Sequence, residues 1–164
     1  MRSCYLLVVL AFYSTVGCVC QKNIVGAEIN ASSSGISKIE GFLMEPTFTL
    51  VSSSSEISVY LIENSLIEGS TDEYSNKLVF QKKLEKEIAS KFVKDVLSDT
   101  SYEWSLYKDQ QPSFSPIKQI ILKNSSGQLN LMYDPKDHLL GFINLEGQQI
   151  VPVTKKFHQI LINL

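Results

Sequence analysis

Apolar and polar positions along this chain fall into two periods. Over Glu56–Glu63, Ile57, Val59 and Leu61 alternate with Ser58, Tyr60 and Ile62. Period two predicts a strand with one fully apolar face and one mixed face. Upstream, Phe42, Met44, Phe48 and Leu50 suggest extended chain beginning near Ile39 and broken by Glu45-Pro46. The serines at 52–55 would then form the turn of a hairpin with the 56–63 strand, because serine hydroxyls bond to nearby backbone.

Between Asn76 and Ser98 the period becomes helical, with Leu84, Ile88, Phe92 and Val96 at every fourth position and Ala89, Val93 and Leu97 beside them. Lys83, Lys86, Glu87, Ser90 and Lys94 occupy the other side, so the pattern predicts a helix that packs on one face and is solvated on the other. Beyond Tyr102 and Trp104 comes a breaker segment, Gln111-Pro112-Ser113-Phe114-Ser115-Pro116, and then a β-meander. Its predicted strands are 117–123, 128–133, 139–145 and 148–153, joined by turns at 124–127, 134–137 and 146–147. Asp134-Pro135 suits a type I turn, since Pro presets the second position. Thr154 caps a short final helix carrying Phe157, Ile160 and Leu161. Strands that arrive in runs joined by tight turns predict an α+β fold. The expected architecture is an antiparallel sheet with an N-terminal hairpin, one long amphipathic helix packed on one face, a four-strand C-terminal meander and a short final helix.

The first twenty residues read differently. Met1-Arg2 precedes an almost unbroken apolar run from Tyr5 to Val16, followed by small residues around Gly17 and Cys18, which is the layout of a signal peptide or lipoprotein leader. The run gives way to Gln21-Lys22-Asn23 before it reaches the ~20 apolar residues that a membrane span needs. Two processing routes fit. Thr15-Val16-Gly17-Cys18 is similar to a lipobox, which would place a lipid on Cys18, and cleavage after Cys20 fits as well. Residues 21–37, with Ala31-Ser32-Ser33-Ser34-Gly35 at their centre, lack a sustained apolar period and read as a flexible tether. Residues 38–164 then form a single domain.

All three cysteines (Cys4, Cys18, Cys20) lie in the leader, so the body has no internal disulfide and depends on its apolar core. A domain of that size buries roughly 68–70% of its unfolded surface. The chain carries 15 basic and 17 acidic side chains, a net charge of −2, and losing Arg2 with the leader makes the body one unit more acidic. Nucleic acid is not an expected partner, because phosphate backbones need clustered cations. Lys82, Lys83, Lys86, Lys91 and Lys94 could form an anion-binding stripe, but Glu85, Glu87 and Asp95 interleave with them as on an ordinary solvated helix face.

Candidate chemistry is sparse. Asp134, Asp137 and His138 stand together at a predicted turn and could bind a metal or orient a base, although the two aspartates also serve turn geometry and metal sites need three or four ligands. Glu85 falls within the apolar arc predicted for the helix, where a raised pKa would suit a general acid; a carboxylate near a helix start is also an ordinary dipole partner. His158 lies between apolar positions of the final helix. No serine has a G-x-S-x-G context, and Asn30-Ala31-Ser32 and Asn124-Ser125-Ser126 fit the glycosylation sequon. No cofactor fingerprint is present.

Tyr102, Phe114-Ser115-Pro116, Ile120-Ile121-Leu122, Leu129–Tyr133 and Phe157 with Leu161 form a pattern over Leu84–Leu164. It resembles a broad group of small exported bacterial proteins and lipoproteins, in which a helix leads through a Phe-x-Pro segment to a C-terminal β-meander. The resemblance covers about half the chain and implies an envelope or secreted location. Many members carry cysteines just before the Phe-x-Pro segment and on the second meander strand, where this chain has Gln111, Met132 and Tyr133; a redox or metal role is therefore not implied here. Two functions are expected in competition. The first is a non-catalytic envelope or secreted binding protein (an inhibitor, immunity-type or assembly factor) whose partner is another protein and which meets a membrane only through a lipid on Cys18. The second is a small hydrolase or metal-dependent enzyme using Glu85 or the Asp134, Asp137 and His138 group.

Overall fold

The computed structural model describes residues 36–107, 113–144 and 147–164. The expected leader, its Cys18, most of the tether and the Asn30 sequon lie outside the described residues. Along the chain the elements are α1 (Lys38–Ser52), β1 (Glu56–Leu66), β2 (Tyr74–Lys83), α2 (Lys86–Val96), β3 (Lys118–Lys123), β4 (Gln128–Asp134), β5 (Leu139–Asn144), β6 (Gly147–Pro152) and α3 (Lys155–Asn163). The strands form one six-stranded sheet in the order β2-β1-β3-β4-β5-β6, with every neighbour antiparallel. The fold is thus α+β, as the pattern predicts.

Strand register explains where the core sits. Val59, Ile120, Leu131 and Phe142 are paired in a row across four strands, and Ile57, Leu122 and Leu129 form a second row. All are buried. Side chains directly opposite in an antiparallel ladder share a face, so these rows define one apolar side of the sheet. Ile39, Phe42, Leu43 and Val51 of α1, Ala89, Phe92 and Val96 of α2, and Phe157 and Leu161 of α3 join them in a single core. The three helices therefore lie on the same side.

Two stretches depart from the sequence reading. Residues 38–52 are helical, not extended. The buried positions Ile39, Phe42, Leu43, Thr47 and Val51 follow helical spacing, and the start of the helix is held from a distance. Both carboxylate oxygens of Asp99 accept backbone N–H groups, Lys38 N at 3.0 Å and Ile39 N at 2.8 Å, while the Ser37 hydroxyl accepts Glu40 N. These are the donors that a helix leaves unsatisfied at its N-terminus. Ser37, assigned to the tether, is therefore the cap of α1. Glu45-Pro46 marks a break of another kind. The helix kinks at Met44 (φ 59°, ψ 158°) and restarts with Pro46 in its new first turn, where proline is tolerated. The serines at 52–54 close α1, with their hydroxyls donating to the carbonyls of Thr49 and Leu50.

The N-terminal hairpin is consequently β1 with β2, joined through 67–73, and residues 74–83 are strand where the long helix was expected to begin. The helix starts at Lys86 and buries Ala89, Phe92 and Val96; Ile88, expected on the buried stripe, is 50% exposed. The meander agrees with its predicted strands to within two residues. The Thr154 side chain accepts from Phe157 N, as a cap of α3 should.

Lys118 is buried on the helix side of the sheet, paired in register with Tyr133. Its ammonium donates to the carbonyls of Leu161 (2.8 Å) and Ile162 (2.9 Å) at the C-terminal end of α3. Lys82 reaches the Asn163 carbonyl at 3.5 Å. Cations suit this end of a helix, whose last carbonyls lack partners and carry the negative pole of the dipole. Burial holds the Lys118 pKa below its usual value, with the charge on Lys82 adding to the effect.

Candidate functional site

The residues singled out for chemistry do not converge. Glu85 is exposed and stands at the N-cap of α2, outside the apolar arc assigned to it, and its side chain makes no capping bond. Asp134 is buried, and both its oxygens are occupied by backbone donors. One takes Ser115 N at 2.7 Å; the other takes Lys136 N at 2.9 Å and, more weakly, Asp137 N at 3.4 Å. The carboxylate thus pins the Phe-x-Pro link to the β4–β5 turn. Asp137 accepts from the Ser113 hydroxyl at 3.1 Å. Among the described residues no group of three His, Cys, Asp or Glu side chains is placed to hold a metal ion.

His138 ends the turn with φ 54°, in the left-handed region, which is uncommon for a residue with a side chain. Its backbone carbonyl accepts Val153 N at 2.9 Å, and its ring stacks on His158 with centroids 3.8 Å apart. His158 is itself buried, and its Nδ1 is hydrogen-bonded to the Tyr133 hydroxyl. Burial and the neighbouring His138 hold the His158 pKa below the usual histidine range. Burial, with Asp134 alongside, pushes the Tyr133 phenol up to about 12. From sequence His158 reads as a surface or half-buried side chain between apolar positions of the final helix, whereas it is buried against two ring partners. Its partners are 20 and 25 positions away, and no local pattern records such a contact.

The Asn124 sequon is also absorbed by structure. The Asn124 carbonyl oxygen accepts Ser126 N and Gly127 N, both at 2.8 Å, and its amide donates to the Ser53 hydroxyl at 2.9 Å. The side chain shapes the β3–β4 turn.

The distinctive surface is the side of the sheet opposite the helices. Here Tyr60 and Ile62 of β1, Ile121 of β3, Met132 of β4 and Ile143 of β5 are only partly buried. Phe114 of the link lies over this face against Gly141, where an added Cβ would meet the phenyl ring at 2.8 Å. The face continues onto β2 with large side chains in water: Leu78 (47% exposed), Phe80 (57%) and Tyr74 (65%), which are opposite Ile62, Tyr60 and Leu66. The Tyr60 and Phe80 rings meet edge to face with centroids 5.5 Å apart. Assigning residues 76–83 to a helix concealed this feature. The alternation of Tyr74, Leu78 and Phe80 with Ser75, Lys77 and Val79 was the available signal.

Comparison with protein-family models, with curated proteins and with solved structures gives no match. The site must therefore be read from its own chemistry. Among the described residues, the lining of a groove of about 450 Å³ between Pro46, Thr47 and Leu50 of α1 and Leu129, Asn130 and Ile143 of the sheet has no titratable side chain. Such a surface can exclude water and form hydrogen bonds through amides. No helix among the described residues is long and apolar enough to cross a membrane.

Proposed function

We propose that this chain is an exported, non-catalytic binding protein whose partner is another protein, with the helix-free face of the sheet as its recognition surface. One observation carries the reading: Tyr74, Leu78 and Phe80 stand in water on a single face that continues across the sheet. Exposed apolar side chains grouped in this way mark interaction surfaces, whereas scattered ones are ordinary. Aromatic residues are also enriched among those that dominate binding energy. The exposed place of Glu85 at the N-cap of α2, and the use of both Asp134 oxygens by backbone donors, favour binding over hydrolysis. Export rests on the leader pattern and on the resemblance to small envelope proteins, and Cys18 is the residue a lipid would occupy.

The test is capture from native envelope by the wild type and by Phe80→Asp, with thermal melting as a check on folding. A specific partner retained by the wild type and lost by a folded Phe80→Asp variant supports the reading. Hydrolytic turnover that disappears in Glu85→Gln or His138→Ala would overturn it.

A further inference from the structure

The β1–β2 hairpin outruns the rest of the sheet. β3 pairs with β1 only over 56–61, so the rungs from Glu63↔Lys77 to Leu66↔Tyr74 have no third strand among the described residues. A two-stranded ribbon is marginal in water, and a third strand with an apolar face is what ordinarily stabilises one. β2 is also the terminal strand of the sheet, so among the described residues the outer edge of its ten residues has no strand partner. Proteins often blunt such edges with lysine. Here Lys83 lies 3.0 Å from Glu56, Lys82 reaches the Asn163 carbonyl and Lys77 stands opposite Glu63 in register, and all three lysines remain exposed, so their charge decides what the edge can pair with.

We infer that the β2 edge pairs with β2 of a second copy of this chain, antiparallel, about a two-fold axis at Leu78. This goes beyond the binding role proposed above and does not depend on it. The charge order of the strand selects the occupant and the direction. Asp72 and Glu73 precede β2, an uncharged stretch from Leu78 to Gln81 occupies its middle, and Lys82 and Lys83 end it. Antiparallel self-pairing sets the acidic start of each strand beside the basic end of the other, twice over. Parallel pairing would set like charge on like.

Register follows from the same rule. Centring on Leu78 places Leu78 on Leu78, Lys77 on Val79 and Asn76 on Phe80, whereas centring on Lys77 would oppose two lysines, which is destabilising. Lys82 pairs with Val59 and Phe80 with Tyr60, leaving Gln81 as a bulge. The bulge absorbs one residue, so Lys82 and Lys83 come alongside Ser75 and Tyr74, next to Glu73 and Asp72. A two-fold axis normal to the sheet preserves its faces. The helices of both copies then lie on one side, the two open faces become continuous, and each ribbon gains its missing strands in the order β1-β2-β2-β1.

The experiment compares the full chain with Leu78→Lys by analytical ultracentrifugation over a range of concentrations, with circular dichroism as the folding check. Leu78 is 47% exposed, so the monomer should tolerate the change. The wild type is expected to sediment at twice the single-chain mass, and Leu78→Lys to weaken the dimer by at least about tenfold. A second arm stands independently of that variant. With Cys4, Cys18 and Cys20 replaced by serine, Leu78→Cys should oxidise to a disulfide-linked dimer faster than Ser125→Cys, because residues opposite at an antiparallel axis fall within disulfide reach. A wild type at single-chain mass at every concentration overturns the inference, as does a Leu78→Lys variant as dimeric as the wild type. So does equal cross-linking at positions 78 and 125. A monomer that captures a different protein through Tyr74 and Phe80 would overturn self-pairing and leave the binding role intact.

Discussion

Replacing Asp99 should loosen α1 although the two are about sixty residues apart. Its carboxylate accepts Lys38 N at 3.0 Å and Ile39 N at 2.8 Å, and its backbone carbonyl accepts from the Trp104 indole at 2.9 Å. Asp99→Ala removes the carboxylate and keeps the carbonyl, so the loss falls on the helix N-terminus. Removing an N-terminal cap costs about 0.5–2 kcal/mol, and a negative charge near this end of a helix adds ~0.3–1 kcal/mol at a partly exposed site. The Lys38 bond is exposed, the Ile39 bond is partly buried, and Ser37 remains as a local cap. We therefore expect a total loss of about 1–2 kcal/mol. With a urea m-value of ~1–3 kcal/mol per molar, the denaturation midpoint should fall by roughly 0.5–1 M. Asp99→Asn keeps one acceptor oxygen without the charge and should fall between Asp99→Ala and the wild type. Amide exchange should accelerate first at Lys38–Phe42. A midpoint unchanged in Asp99→Ala, or exchange no faster in α1 than in β4, would show that the helix is held by its packing alone.

Phe92→Ala should lower stability by about 3–5 kcal/mol, because its ring is buried beside Phe157 with centroids 6.3 Å apart; calorimetry measures the loss. Gly141→Ala should destabilise the wild type by about 1–3 kcal/mol through overpacking and should be nearly neutral once Phe114→Ala has cleared the ring above it, as a double-mutant cycle would report. Stability should also fall as pH drops below the unfolded histidine value of about 6.5: burial and His138 depress the folded His158 pKa, so the unfolded chain binds the proton first. The loss should level off below the folded pKa, and urea midpoints across this range should flatten in His158→Gln.

The part of the fold legible from sequence is the part in which local pattern and tertiary demand agree. In the meander, period-two alternation coincides with turn chemistry. Asn124 binds Ser126 N and Gly127 N, and Asp134 binds Lys136 N and Asp137 N, within the turns that their positions suggest. α1 is the opposite case. Thr47-Phe48-Thr49-Leu50-Val51 has the residue types of a strand, yet the segment forms helix because Ile39, Phe42, Leu43 and Val51 reach the core together and Asp99 satisfies its first donors. Propensity is a weak prior against burial of that kind. The start of α2 was misplaced because Leu84 and Ile88 extend the four-residue spacing backwards. Leu84 is buried just ahead of the helix, with its N–H on the Ile57 carbonyl, while Ile88 faces solvent.

The same error hid the candidate site, for a physical reason. A helix reading over 76–98 gives no reason to expect Leu78 and Phe80 side by side in water. A terminal strand does. It has a neighbour on one edge and helices on at most one face, and side chains on the remaining face stay in water unless another chain covers them. Tyr74, Leu78 and Phe80 are on that face, and the helix side beneath them carries Ser75, Lys77 and Val79. Sorting apolar residues by strand parity is therefore more informative than counting them. Ile57 and Val59 point to the core and hold the domain together, whereas Tyr60 and Ile62, one residue out of phase, belong to the surface that continues onto β2. Stability and recognition thus occupy alternate positions of β1. Substitutions at 57 and 59 should be felt in the melting temperature, and those at 78 and 80 in association.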